Sequence, residues 1–234
     1  MTTGRCDECE WQKYHFSTEG SSELYRPATS RQGYEEALYE SGRLTDLQSQ
    51  DHLDILVVGT AGAESTKHHV TMWPGILRSP QSSDTLTICD TCELPLAASQ
   101  KMLSEHQPVH TIQTVQADGT QLPFTNGSFD IVVTHCLFEC IDDDTLYRLV
   151  QECGRVTRGA GIDLHCVVRI RSRARELLER FSQGHREDRY GIRFRLRREV
   201  FYNTLFERAG LSVLSHGQDT FRETATFGVA PILK

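Results

Sequence analysis

Residues 55–58 read Ile-Leu-Val-Val, a continuous apolar run that stops at Gly59. A strand with one wet face alternates apolar and polar side chains; a strand without alternation needs cover on both faces, as in a parallel sheet. Four further strand-like runs follow: LTIC (86–89), HTIQTVQA (110–117), DIVVTHC (130–136) and IDLHCVVRI (162–170). Between them lie stretches long enough for crossover helices: part of 63–77, then 93–106 and 142–156. Strand–helix alternation of this kind predicts a doubly wound α/β fold, mostly parallel, with helices on both faces. Upstream, Tyr34, Leu38 and Leu44 share one face of a helix predicted over 31–47. Downstream, a helix over 198–209 precedes two runs, LSVLSH (211–216) and TATFGVAPIL (224–233). Their short polar separation predicts a closing antiparallel hairpin.

At 234 residues the chain is expected to form one domain with an N-terminal appendage: a segment or lid over 1–47 and the main domain over 48–234. With 38% hydrophobic and 24% charged residues, the composition is that of a globular protein. Apolar stretches such as ILVVG fall far short of the roughly 20 residues that span a membrane, and MTTGRCDECEWQK has no apolar core of a signal peptide. The expectation is a cytoplasmic protein with no membrane partner. A net charge of −7 gives no support to a nucleic-acid partner. The charge is uneven, however: residues 169–198 hold eleven arginines against four acids. Such a run reads first as a solvated helix face and loop, and second as a cleft for an anionic acceptor or an RNA phosphate. Of eight cysteines, Cys6 and Cys9 form a C-x2-C pair near His15, and Cys89 and Cys92 form another that straddles a strand end. A zinc site needs about four converging ligands. The expectation is therefore reduced, mostly buried thiols, and no metal.

In an open parallel sheet, ligands bind beyond the carboxyl ends of the strands, where strand order reverses. The first strand ends in GTAGAES (59–65), a small-residue turn into a helix that lets backbone N–H groups approach a ligand. The second ends at Asp90, placed to accept both hydroxyls of a ribose, or to cap the helix that follows. The third segment, VQADGTQLPFTNGSFDIVVTHCLFE (115–139), ends its strand at Ala117-Asp118-Gly119. There Asp118 can accept from an exocyclic amine such as adenine N6, Leu122 and Phe124 can supply apolar contact, and Phe129 anchors the next strand.

Taken in order, VVGTAGAES, LTICD and ADGTQLPFTNGSFDIV resemble the class I S-adenosylmethionine-dependent methyltransferases, particularly those that methylate small molecules. The resemblance covers roughly residues 53–170. It implies a Rossmann-like, seven-stranded sheet with a C-terminal antiparallel hairpin, and S-adenosylmethionine as cofactor with S-adenosylhomocysteine as product. Carried over residue by residue, Gly59, Thr60, Ala61 and Gly62 flank the methionine part of the cofactor. Asp90 holds the ribose hydroxyls, Thr91 lies beside the adenine, and Asp118 and Gly119 read its edge. Thr134 and His135 lie under the cofactor near the acceptor. One departure stands out: the family's D-x-G-x-G-x-G loop is here Val57-Val58-Gly59-Thr60-Ala61-Gly62-Ala63. The acid before the first glycine is absent, and two glycines are alanines, each an obstacle wherever the backbone needs a positive φ.

Methyl transfer is an in-line displacement, so orientation of the acceptor and exclusion of water supply much of the catalysis. A base is needed only where the acceptor must lose a proton. His135 is the candidate base, with Glu139 either to orient it or to cap the next turn; the alternative for His135 is a ring packed away from the site. His68 and His69 are expected to be exposed, and Cys136 and Cys140 to be small core residues. Acceptor specificity is expected from residues 1–47 and 171–198. Trp11, Tyr14, Phe16 and Tyr34 there are either an aromatic lid or ordinary packing. Arginines around 186–198 suit an acceptor bearing a carboxylate or phosphate, and Tyr190 suits stacking on a ring. The function expected is methyl transfer to a small molecule. The rivals are a protein that keeps the fold without methylating, and an RNA or protein methyltransferase. THCLF in place of N/D-P-P-Y/F argues against methylation of base amino groups.

Overall fold

The computed structural model describes residues 27–60, 62–77, 83–106, 111–135, 137–158, 162–166, 197, 199–219 and 224–231. Their elements are α1 (Pro27–Glu40), α2 (Arg43–Gln48), β1 (Asp54–Val58), α3 (Ala63–Ile76), β2 (Thr85–Asp90), α4 (Glu93–His106), β3 (Thr111–Gln116), β4 (Ile131–His135), a 3-10 turn (Phe138–Cys140), α5 (Asp143–Val156), β5 (Ile162–Cys166), α6 (Glu199–Arg208), β6 (Leu211–Asp219) and β7 (Thr224–Pro231). The strands form one seven-stranded sheet in the order β3-β2-β1-β4-β5-β7-β6. From β3 across to β5 every pairing is parallel, whereas β7 runs antiparallel to both β5 and β6. This is the expected doubly wound architecture with its closing hairpin. Among the described residues no helix is long and apolar enough to cross a membrane.

The unalternating run in β1 is explained by its two partners. Leu56 and Val58 join Val132 in one core layer with Leu146, Leu149 and Val150 of α5 and Tyr202 and Phe206 of α6. Ile55 and Val57 join Ile131 and Val133 in the opposite layer, against Tyr34 and Leu38 of α1, Met72 and Trp73 of α3, and Leu96 of α4. The period of two along each strand thus feeds two cores instead of one core and one wet face. Helix α5 buries Leu146, Leu149, Val150, Cys153 and Val156, a stripe at helical spacing. Asp142 caps it, accepting from Thr145 N at 2.9 Å and Thr145 Oγ1 at 2.8 Å, and these bonds hold its carboxyl below the usual range.

The helix predicted over 31–47 is two helices. α1 begins earlier, at Pro27, and ends where Gly42 takes φ 72, in the left-handed region that terminates helices. Ser215 Oγ of β6 donates to Ala37 O at 2.9 Å and fastens α1 to the sheet. Fully buried Tyr34 has its ring 5.5 Å from that of Trp73 and 6.4 Å from that of His69. Trp11, Tyr14 and Phe16 lie outside the described residues.

His68 and His69 correct the expectation of exposure: they retain only 7% and 0% of their accessible surface. The reason is tertiary, because α3 is flanked by α1 on one side and α4 on the other. Burial pushes the His68 imidazole down to about 4. A histidine kept neutral by burial stabilises fully above its unfolded pKa, near 6.5, and the contribution is lost as pH falls from there towards 4. Urea unfolding at pH 5 against pH 7.5 should show a loss on the order of 1–2 kcal/mol from this site. His68→Gln should flatten that part of the slope; an unchanged slope would assign it elsewhere.

Candidate active site

Strand order reverses between β1 and β4, so the chain leaves β1 towards one face of the sheet and β4 towards the other. The segments that follow β1, β2, β3 and β4 meet at this point. Gly59 takes φ 81 and donates its N–H to Cys89 O at 2.9 Å. The positive φ favours glycine, and a Cβ there would also come within 2.9 Å of Leu137 Cδ2, so that the leucine side chain would have to shift. Gly62 takes φ 122 and stands just before α3, while Ala63 is already helical. The alanine at 63 therefore faces no positive-φ demand. Ala61 lies outside the described residues.

Half-buried Asp90 ties two of these segments together. Its Oδ2 accepts Thr60 N at 3.0 Å and its Oδ1 accepts Cys92 N at 2.9 Å. Thr91 is exposed, and its carbonyl accepts Gln116 Nε2 at 3.1 Å. Asp118 is exposed as well, and its Oδ1 accepts Thr120 N and Thr120 Oγ1, each at 2.8 Å. Gly119 is packed so closely that a Cβ would lie 2.7 Å from Leu149 Cδ1 and 3.1 Å from Val58 Cγ1. That contact draws the segment after β3 up to the end of β1.

Two hydroxyls at this end of the sheet are buried without a hydrogen-bond partner among the described residues: Ser65 Oγ in the first turn of α3 and Thr134 Oγ1 in β4. Buried polar atoms in a native fold normally find a partner, and a ligand over the strand ends would supply one. Of His135 only the backbone is described, in register with His165 of β5. Leu137 follows, half-buried beside Gly59. Cys136, the Glu139 side chain, Tyr190 and the arginines from 169 to 195 lie outside the described residues.

Two of the described thiols, Cys89 and Cys153, are held in the unreactive protonated form. Cys89 is pushed up to about 12 by burial and by the neighbouring Asp90 carboxylate, and burial likewise raises Cys153. Cys89, Cys140 and Cys153 are not disulfide-bonded, whereas Cys92 is, which corrects the expectation of reduced thiols at that position. No cluster of metal ligands occurs among the described residues; Cys6, Cys9 and His15 lie outside them.

Two arginines organise the site's surroundings. Arg155 of α5 donates to Leu122 O at 3.0 Å, Phe124 O at 2.8 Å and Asn126 Oδ1 at 2.9 Å. Its neighbour Glu152 accepts Leu122 N at 2.8 Å, and the Arg155 guanidinium holds the Glu152 carboxyl below its usual range. LPFTNGSFD is thus latched to α5: Leu122 is buried, and half-buried Phe124 stands edge-on to Phe129 with ring centres 4.9 Å apart. A Glu-x-x-Arg pair on one helical face was the only sequence signal for this latch. Arg197 does the same after β4. It donates to Phe138 O and Ile141 O, each at 2.6 Å, and to Asp143 Oδ1 at 2.8 Å, and it lies 5.2 Å from the Phe201 ring centre. With 8% of its surface accessible, Arg197 departs from the solvated-face reading of the arginine run. Arg197→Met keeps the bulk but strands those carbonyls, and urea unfolding should show a loss of about 1–3 kcal/mol. A loss below about 0.5 kcal/mol would mean that the clamp is dispensable.

Residues 74–164 match the family model described as a methyltransferase domain. The match runs from the end of α3 into β5 and takes in Asp90, Asp118, Gly119, Thr134 and His135, but not the glycine turn. No curated protein matches the chain in sequence. Among solved structures, the magnesium protoporphyrin IX methyltransferase of Synechocystis PCC 6803, with bound S-adenosylhomocysteine, is similar at 13% identity, with 85% of this chain and 84% of that one covered and a TM-score of 0.57. A SAM-dependent methyltransferase of Aquifex aeolicus is similar at 12% identity over 89% of this chain and 100% of that one, with a TM-score of 0.56. The pyocyanin biosynthetic protein PhzM is similar at 17% identity over 94% of this chain and 61% of its own, with a TM-score of 0.61. At these identities the likeness is one of fold.

Proposed function

Because residues 74–164 match a methyltransferase-domain model and the fold resembles that of solved methyltransferases, we propose that the chain transfers the methyl group of S-adenosylmethionine to a small-molecule acceptor. The observation that carries this reading is the convergence of the glycine turn, Asp90, the Asp118-Gly119 turn and Thr134 at the switch point. The cofactor, when bound, supplies the methyl group on a sulfonium, a good leaving group. The chain's own residues bind, orient and exclude water. Backbone at Gly59, Thr60, Ala61 and Gly62 would line the methionine part. Asp90, a carboxylate at the end of β2, would accept from a pair of hydroxyls, as a ribose presents. Thr91, Asp118 and Gly119 would flank the adenine. The hydroxyls of Ser65 and Thr134, buried without a partner among the described residues, support a polar ligand over these strand ends.

His135, at the end of β4, is proposed as the base for an acceptor that must lose a proton. Residues 1–47 and 171–198 are proposed to shape the acceptor site, with the arginines of the second segment suiting an anionic acceptor. Magnesium protoporphyrin IX, the small molecule methylated by the Synechocystis neighbour, supports a small acceptor over RNA or protein. The positive φ angles of Gly59 and Gly62, and the helical setting of Ala63, weigh against a fold that has lost its cofactor.

Calorimetric titration with S-adenosylmethionine should show binding that Asp90→Ala weakens by about 1.5–3 kcal/mol, the value of hydrogen bonds to a charged group. Unchanged affinity would place the ribose elsewhere. His135→Gln should lower kcat by about 10²-fold or more while leaving cofactor affinity within error. Wild-type turnover in that variant would remove the histidine from the chemistry.

A further inference from the structure

Thr60, Thr66 and Ser99 form a line of buried hydroxyls behind the glycine turn. Their residual accessibilities are 0%, 1% and 0%. Thr60 Oγ1 lies 2.7 Å from Thr66 Oγ1, and Thr66 Oγ1 lies 2.8 Å from Ser99 Oγ. Ser99 Oγ donates to Pro95 O at 2.7 Å.

One bond sets the polarity of the whole line. A carbonyl only accepts, so the Ser99 proton goes to Pro95. Ser99 Oγ is then the acceptor for Thr66, and Thr66 Oγ1 the acceptor for Thr60. The alternative acceptor for the Thr60 hydroxyl, Gly62 O, is farther away at 3.3 Å. Since Thr60 N is bonded to Asp90, this residue is held at both its backbone and its side chain. The line runs from the segment after β1, through α3, to the first turns of α4. A buried network whose members are all satisfied is rigid, whereas a broken one leaves a desolvated polar atom.

We propose that the Thr60–Thr66–Ser99 hydroxyl relay is a positioning device that holds the glycine turn in its ligand-ready form, and so sets cofactor affinity through side-chain hydroxyls that do not themselves touch the cofactor. The inference rests on the S-adenosylmethionine reading above. It assigns to three buried hydroxyls the side-chain restraint on a turn whose Thr60 N is already held by Asp90. None of the three reaches the surface, so they are positioning and not catalytic residues.

Thr66→Val removes the hydroxyl at nearly constant volume, Ser99→Ala cuts the line one step on, and Thr66→Ser keeps it. Calorimetry should show the Kd for S-adenosylmethionine raised about five- to fiftyfold in the first two variants and near wild type in the third. In the ligand-free protein, amide hydrogen exchange of residues 59–66 should be faster in the first two variants only. The kcat at saturating cofactor should stay within about twofold of wild type, since no reacting group is touched. If Thr66→Val does not fold, Ser99→Ala decides alone. Wild-type Kd in the variants, with or without faster exchange, overturns the relay, as does a fall in kcat at unchanged Kd. A wild type that binds no S-adenosylmethionine overturns the cofactor reading and the relay with it, whereas a binding wild type matched by its variants refutes the relay alone.

Discussion

The central strand β1 is parallel to both its neighbours, and its last four side chains are all apolar and buried. That constraint fixes much else. A parallel neighbour on each side requires crossover connections, and these put helices on both faces. Cover on both faces leaves only the strand ends open to water and ligands. The ends of β1 and β4 also send their chains to opposite faces, so the opening lies between them. Gly59 permits the turn away from β1, and the Leu137 side chain occupies the space a Cβ would need.

Within this opening Asp90 acts first as structure. Its carboxylate joins the turn after β1 to the turn after β2 through Thr60 N and Cys92 N. A charged group committed to two backbone N–H groups is pre-oriented, so a ligand hydroxyl meeting it costs little further ordering. The same economy holds at Gly119, Arg155 and Arg197. Each fixes backbone near the strand ends from behind, leaving the front free. The alanine-containing glycine turn is compatible with this arrangement, because the two positive φ angles described there fall on glycines.

Much of the fold was legible because it rests on periodicity. The unalternating run at 55–58, the helix over 93–106 and the terminal hairpin correspond closely to β1, α4 and the β6–β7 pair. The break at Gly42 was harder to read, since a glycine in an amphipathic pattern does not say whether the helix tolerates it or ends. The burial of His68 and His69 was hidden for another reason: it depends on α1 docking against α3. Arg197 belonged to a run whose composition suggests solvent, and only its partners, the carbonyls of Phe138 and Ile141, distinguish it. The LPFTNGSFD segment was legible as a motif. Its latch to Glu152 and Arg155 was not, because that pairing spans some thirty positions of sequence.

We propose that these strand ends form a nucleoside-binding site organised by Asp90. A crystal structure with S-adenosylhomocysteine tests it most directly. The ligand is expected across the ends of β1 and β4, its ribose hydroxyls bonded to Asp90 while that carboxylate keeps Thr60 N, and its adenine beside Asp118-Gly119. A ligand seated elsewhere, or over the switch point with Asp90 bonded only to Thr60 and Cys92, would contradict it.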